Sequence, residues 1–480
     1  MSTDERYNLV VIGGGSAGLV SAYIAAAVKA KVALIERHKM GGDCLNTGCV
    51  PSKAIIKTAR IAAEIKNHRK YGIKSANYEI DFPMVMDRVK QVIGKIEPHD
   101  SIERYSSLGV ECITGNAEMI DRNTVKVNGR TLKAKNIVLA LGASPFVPKI
   151  KGIEKVSYRT SENLWDMREL PKRFIVLGSG PIGCEMAQAF QRLGANVTLV
   201  EMADRILPRE DPDVAAMVFE RFKDEGMNVL TTAKAEEILT ENGEKKLICR
   251  MKDGSPLSIP FDEILIAVGR KANTSGIDWD KFGIKLNKDG TIAVDPYLCA
   301  NGKNIYACGD VAGPFQFTHV AAHQAWYCAV NALFGPFKRF KVDYRVIPRV
   351  TYTDPEVAQV GHNELSAKEA GIPFEVTHYG IDDLDRAIAE SEDHGQVKVL
   401  TVPGKDTIIG ANIVSHNAGE MIAEFVTAMK YGIGMNKILG TIHSYPSFVE
   451  ANKYAAGNWK KAHAPAGLLE FVKKFHSWRR

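Results

Sequence analysis

Asn8–Gly18 (NLVVIGGGSAG), with the alanine-rich stretch to about Lys29 and the apolar run Lys31–Ile35 ending at Glu36, is the segment on which the fold turns. It reads as a short buried strand, a tight turn over Gly13-x-Gly15-x-x-Gly18, a helix and a second strand. The first glycine permits the turn, the second lets the backbone approach a pyrophosphate, and the third allows close helix packing. The helix N-terminus then favours phosphate charge, and Glu36 can accept hydrogen bonds from a ribose diol. The same plan returns at Phe174–Leu177, with Gly178-x-Gly180-x-x-Gly183, a helix to about Leu193 and the strand Val197–Val200 closing on Glu201. In both copies the first glycine and the glutamate are 23 residues apart. Each copy has an echo, Ile137–Gly142 and Ile264–Gly269, an apolar strand closing on glycine. Two such units imply two dinucleotide cofactors. Glu201 would repel a 2′-phosphate and so favours NADH over NADPH, with Arg205 nearby as the opposing feature.

The rest of the composition narrows the class. The chain has 480 residues, 45% hydrophobic and 25% charged, which excludes a disordered or collagen-like protein. At about 150 residues per domain this suggests roughly three domains. Eight cysteines are too sparse for a secreted disulfide framework. The net charge of +6 is uneven: residues 460–480 hold six Lys/Arg and only Glu470, leaving +1 for the rest. The body of the chain therefore offers no basic face for nucleic acid. The uncharged stretch Tyr7–Val28 is long enough to span a bilayer, but Asp4 and Glu5 precede it and Gly13-Gly14-Gly15-Ser16 breaks it. A cytoplasmic protein is expected.

The most specific segment is Gly41–Lys53 (GGDCLNTGCVPSK). Cys44 and Cys49 stand just before a predicted helix, with Pro51 suited to its first turn and Ile55, Ile56, Ala59 and Ala63 available for an apolar face. A thiolate at a helix N-terminus has a lowered pKa, as a redox cysteine requires. A zinc site would want further ligands, and no second cluster appears, so no metal ligands are assigned. Two simply buried small side chains are the plainer alternative. Cys112, Cys184, Cys249, Cys299, Cys308 and Cys328 lie in apolar surroundings and are expected to be buried.

With Ile305–Asp310 (IYACGD), these motifs resemble the class I FAD-dependent pyridine nucleotide–disulfide oxidoreductases, from about Tyr7 to Lys460. That family includes glutathione reductase, dihydrolipoamide dehydrogenase and mercuric reductase. The resemblance implies an α/β fold with two Rossmann-like dinucleotide-binding domains and a C-terminal α+β dimerisation domain. Its parts would be an FAD-binding domain at 1–152, an NAD-binding domain at 153–272, a central segment at 273–343 completing the FAD domain, a dimerisation domain at 344–460 and a basic amphipathic tail at 461–480. FAD is implied at Gly13, Gly15, Ser16, Ala17, Gly18, Glu36, Gly42, Lys53, Ala117, Gly142, Gly309, Asp310 and His319. NADH is implied at Gly178, Gly180, Ile182, Gly183, Glu201 and Gly269. Cys49 would be the sulfur against the flavin and Cys44 the one that exchanges with substrate. Lys53 would lie near flavin N5, paired with Glu185, since an ammonium there stabilises negative charge on reduced flavin. The helix beginning around His319 would point its N-terminus toward the flavin pyrimidine.

The resemblance departs near the C-terminus. Thiol-handling members supply a His-Pro pair, with a glutamate five residues after the histidine, as acid–base group from the other subunit of a homodimer. Here the segment is His443–Glu450 (HSYPSFVE). Aligning Pro446 and Glu450 puts Tyr445 at the histidine's place, with His443 two residues upstream. Tyrosine titrates near 10, so on the order of 0.1% is ionised at neutral pH. Losing a well-placed base costs about 10²–10⁴ in rate, so efficient lipoamide or glutathione turnover is not expected unless His443 reaches the site through a shifted loop. Mercuric reductases carry a tyrosine here. They differ in a vicinal Cys-Cys that His476–Arg480 lacks, in an N-terminal metal-binding domain and in a usual preference for NADPH. Pro181 stands where glutathione reductases place a tyrosine.

The expectation is a homodimer with active sites shared across the interface. Electrons would pass from NADH to FAD, to the Cys44–Cys49 disulfide, and on to a disulfide, a metal ion or a quinone. The alternatives are a dihydrolipoamide dehydrogenase, a mercuric reductase-like metal reductase, or a redox-responsive flavoprotein that binds a partner. In the tail, Leu468, Phe471, Val472, Phe475 and Trp478 fall on one helical face, with Lys473, Lys474 and Arg479 beside or opposite. Pro465 and Gly467 would separate this helix, which suits either a membrane surface or protein contact through 465–480, or packing on its own dimer.

Overall fold

Leu9, Val10 and Val11 are fully buried because their strand, Glu5–Ile12, has partners on both edges and cover on both faces. In the computed structural model, which describes residues 5–480, it pairs in parallel with Val32–Glu36 and with Arg130–Leu139. Val110–Thr114 extends the sheet beyond Val32–Glu36, and Ile305–Ala307 extends it beyond Arg130–Leu139, both in parallel. Leu9 and Val11 face the helices Ser16–Ala27 and Thr318–Phe334. Val10 and Ile12 face the opposite layer with Ile137, Trp279 and Phe282. The helix Ser16–Ala27 is buried over much of its surface through Ala17, Ala22, Ala25 and Ala26. Small side chains let it lie close to its neighbour, which presents Ala321, Ala325 and Ala332 to the same layer. Tyr7–Val28 is thus strand, turn and helix, and among the described residues no helix is long and apolar enough to cross a membrane.

The second repeat folds alike, with parallel strands Arg173–Leu177, Asn196–Val200 and Glu263–Ile266 and the helix Pro181–Leu193. An antiparallel sheet of Lys234–Glu241, Glu244–Arg250 and Pro256–Phe261 follows. Its first hairpin turns on Asn242 and Gly243, both at positive φ, as the right-handed strand twist demands.

These elements belong to one compact unit, running through Lys66, Ala76–Met202 and Ala233–Asp343. A second unit comprises Asn67–Ser75, Ala203–Thr232 and Tyr344–Arg480. Its five-stranded antiparallel sheet has the order Pro348–Thr351, Glu356–Gly361, Ile408–Ser415, Gln396–Thr401, Glu375–Gly380. Ile413, Phe425 from the helix Ala418–Tyr431, and Trp459 from the helix Glu450–Ala462 share its core. The α/β architecture with an α+β C-terminal part is the one expected.

Three local expectations need correction. Cys112 is half-buried, because it lies on the edge strand Val110–Thr114, while the other five cysteines outside the central pair are buried. On the helix Cys49–Lys66 the buried face runs through Ile55, Ile56, Ala59 and Ala62, with Ala63 only partly covered, because i, i+3 and i+4 positions share a face. Gly467 does not interrupt the last helix: the break lies at His463–Pro465, and Gly467 is the second residue of Ala466–Trp478.

Candidate active site

The two fingerprints build congruent turns. Gly13 N–H donates to Ile35 O and Gly178 N–H to Val200 O, each at 2.8 Å. Gly14 N–H donates to Glu36 Oε2 at 2.6 Å, and Ser179 N–H to Glu201 Oε2 at 2.8 Å. Each closing glutamate therefore pins the turn of its own motif while keeping lone pairs for a ribose. A Cβ on Gly18 would lie 1.7 Å from Gly13 O, and one on Gly183 would lie 1.9 Å from Gly178 O. Only glycine permits that helix–strand approach. The helices that begin at Ser16 and Pro181 have no side-chain cap at Gly15 or Gly180, which leaves first-turn N–H donors for an anion. At Gly142, Gly180 and Gly269 an added Cβ would meet nothing within 4 Å, so open space lies beside both turns. These features fit two dinucleotides.

Around the first turn, Gly42 at φ +57° lies so close that its Cβ would come 2.6 Å from Gly15 Cα. Gly309 places an added Cβ 3.2 Å from Ala17 Cβ, and its N–H donates to buried Gln324 Oε1 at 2.6 Å. Asp310 follows; burial pushes its carboxyl up, and Arg270, 3.5 Å away, holds it back. Arg270 also pairs with Asp43. Ala117 is partly buried against the core after Val110–Thr114. Ile182 is exposed in the first turn of the second fingerprint helix.

The cysteines sit on successive helices, Cys44 within Gly42–Asn46 and Cys49 opening Cys49–Lys66. Both are free thiols, and each acts on the other's titration. Cys49 Sγ is 3.4 Å from Thr318 Oγ1. The Cys44 side chain lowers the Cys49 thiol to about 6, against the effect of burial and with help from Thr318 and the Lys53 ammonium. The Cys49 side chain, with burial, pushes Cys44 far up. The lowering at Cys49 comes from these neighbouring side chains, and Cys44 shifts the other way.

Lys53 Nζ lies 2.7 Å from Glu185 Oε2, joining the cysteine helix to the second fingerprint helix. Glu185 is buried while Lys53 is partly open. His319, in the first turn of Thr318–Phe334, is exposed and stacked on Phe317 at 5.3 Å.

Within one chain the C-terminal candidates have separate partners. Tyr445 OH donates to Asp385 Oδ2 at 2.9 Å, and that carboxylate raises the phenol's pKa. Glu450 Oε2 instead accepts from Ser447 N–H at 3.1 Å. His443 faces Glu424 Oε1 at 2.8 Å through Nε2 and Thr441 O at 3.1 Å through Nδ1, so both ring nitrogens are engaged. Asp385 is 60 residues from Tyr445, beyond any local pattern. Thr318 and Arg270 were likewise absent from the sequence reading, although each directly adjoins a residue it marked, His319 and Gly269.

Residues 7–325 match the family model of pyridine nucleotide-disulphide oxidoreductases, and residues 347–456 match that family's dimerisation domain. A mercuric reductase of Lysinibacillus sphaericus is 34% identical over 95% of this chain and 83% of its own. A dihydrolipoamide dehydrogenase of Chaetomium thermophilum is 35% identical over 95% of this chain and 91% of its own. Among solved structures, LpdA from Mycobacterium tuberculosis superposes with a TM-score of 0.84 at 27% identity, covering 95% of this chain and 99% of that one. The Cu(II) complex of the HOCl-induced flavoprotein disulfide reductase RclA from Escherichia coli does so at 0.83 and 27%, covering 94% and 99%. Two congruent dinucleotide turns around a polarised cysteine pair, with matches over nearly the whole length, place this chain in the pyridine nucleotide-disulphide oxidoreductases, enzymes whose family binds FAD and a pyridine nucleotide.

Proposed function

We propose that this chain is a homodimeric, NADH-dependent FAD oxidoreductase that delivers electron pairs through Cys44 and Cys49 to a small acceptor. The observation that carries this reading is the cysteine pair itself, Cys44 on Gly42–Asn46 and Cys49 opening Cys49–Lys66, with Lys53 of the same helix ion-paired to Glu185 and the family match over residues 7–325. The Gly13–Gly18 turn and Asp310 would hold FAD, which would supply two-electron exchange between nicotinamide and the cysteine pair. Lys53, anchored by Glu185, holds positive charge beside the thiolate. Glu201 supports NADH, since its carboxylate would repel a 2′-phosphate.

For a disulfide acceptor, the Cys44 sulfur, once deprotonated, attacks one acceptor sulfur and expels the other as thiolate. Cys49 thiolate then attacks Cys44, releases the second thiolate and closes the Cys44–Cys49 disulfide. That route wants a base for Cys44 and an acid for the leaving thiolates. Tyr445, bound to Asp385, is a poor base, and His443 has both nitrogens engaged. A soft metal ion or a quinone needs no such proton relay at sulfur. Relatives named as a mercuric reductase and as a Cu(II) complex support the metal-ion branch, and a relative named as a dihydrolipoamide dehydrogenase supports the thiol branch, so the preference for a metal ion or quinone rests on the missing base at Tyr445.

Anaerobic reductive titration of wild type, Cys44→Ser and Cys49→Ser tests the mechanism. Wild type should take up twice as many electrons per protomer as either variant; equal uptake overturns the thiol route. NADH oxidation should then be screened against disulfides, soft metal ions and quinones. If no acceptor outpaces oxygen, the chain is a redox-responsive binding protein instead.

A further inference from the structure

The helix Ala466–Trp478 has no buried residue. Its large apolar side chains stand open: Phe471 is 66% exposed, Leu468 56% and Trp478 82%. At about 100° per residue, Leu468, Phe471, Val472, Phe475 and Trp478 share one side of this helix, while Glu470, Lys473, Lys474 and Ser477 share the other. The Phe475 and Trp478 rings lie 6.5 Å apart on that apolar side, and the Arg479 guanidinium sits over the Phe475 ring, 5.5 Å from its centroid. A surface helix with such a stripe normally buries it.

We propose that Ala466–Trp478 is a membrane-surface helix that lies in the headgroup layer of a bilayer containing anionic phospholipid. Charge selects this occupant. This helix and the two residues after it carry Lys473, Lys474, Arg479 and Arg480 against Glu470, a net +3, and Lys460 and Lys461 add to the basic end just before it. A second copy of the same helix would bring like charge against itself, whereas an anionic surface complements it. The 13 helical residues span about 20 Å at 1.5 Å each, short of the roughly 30 Å hydrocarbon core, so the helix lies in the plane. Aromatic rings on the apolar side and long cations beside them are the composition that settles at a headgroup boundary.

The test is vesicle flotation of the full-length FAD-loaded protein. Vesicles of phosphatidylcholine with a quarter phosphatidylglycerol should bind it at least about tenfold more tightly than phosphatidylcholine alone, and added salt should weaken the binding. Leu468→Ser/Phe471→Ser and Lys473→Glu/Lys474→Glu should each reduce binding about tenfold or more, with flavin content and oligomeric state unchanged. Tryptophan emission should shift to the blue on the anionic vesicles in wild type and not in Trp478→Phe. Equal binding to both vesicle types, or binding to neither, overturns the proposal. So does a change of oligomeric state in the serine variant, which would assign the apolar face to a second copy of the chain.

Discussion

At Cys49 three neighbours favour the thiolate, Cys44, Thr318 and the Lys53 ammonium, while the Glu185 carboxylate opposes it. Together these three outweigh both burial and that carboxylate. Alkylation of Cys49 in a Cys44→Ala background removes the largest of these, so its reactivity midpoint should lie above the value of about 6 reached with both cysteines present. With Cys44 retained, Lys53→Met and Thr318→Val should each move the midpoint up, the lysine change by on the order of one pH unit. Iodoacetamide kinetics followed by peptide mass mapping measure it; an unmoved midpoint in Lys53→Met would remove the ammonium from the account. At Tyr445 the direction is opposite, because Asp385 holds the phenol protonated. Tyr445→His should therefore raise dihydrolipoamide–NAD⁺ turnover by tenfold or more if a missing base limits it. An unchanged rate points to another group.

The two fingerprint helices are where element geometry depends on a single atom. Adding a Cβ at Gly18 or Gly183 forces the helix off its strand, since the neighbouring carbonyl oxygen would lie within 2 Å of it. Overpacking of this kind costs about 1–3 kcal/mol. Gly183→Ala should raise the NADH KM severalfold with flavin content retained, and Gly18→Ala should lower flavin content first. Flavin absorbance per protomer and steady-state kinetics separate the two outcomes. The repeat itself was legible because glycine spacing, strand length and the closing glutamate are local properties. The short helix Gly42–Asn46 that carries Cys44 was not legible: five residues cannot show a helical period, and its position follows from Gly42 packing on Gly15.

Within the second unit, fully buried Lys398 is held by Asp211 and Asp213 at 2.8 Å and by Glu364 at 3.2 Å. These three carboxylates could ring a metal ion, and the ammonium takes that place. It ties the segment Ala203–Thr232 to the strand Gln396–Thr401. Removing one partner of a buried ion cluster costs about 3–5 kcal/mol, so Lys398→Ala should lower urea stability by that order. Burial works against ionised Asp213, yet Lys398 and Gln396 hold its carboxyl below the ordinary 3.8. Its stabilising effect is therefore complete above pH 3.8 and lost as pH falls through the lower folded value. His394 acts at higher pH. Burial and Arg221 hold it below 6.5, so the unfolded chain takes up its proton first and stability declines as pH falls below 6.5. Urea midpoints at pH 7 and pH 5 should differ less in His394→Gln than in wild type; an equal difference would exclude this histidine as the source.

By itself the sequence determined the doubled dinucleotide plan, the cysteine pair and the strand–turn–helix character of Tyr7–Val28. Those features rest on backbone conformation, spacing and periodicity over a few residues. Lys53 and Glu185 were matched only through family resemblance, being 132 residues apart, and the structure brings them to 2.7 Å. Tertiary structure alone decided that Cys49 Sγ meets Thr318 Oγ1, that Tyr445 binds Asp385, and that His443 faces Glu424. The physical reason is common to all three. A side chain's partner depends on atoms within a few ångströms, and folding, not sequence order, chooses those neighbours.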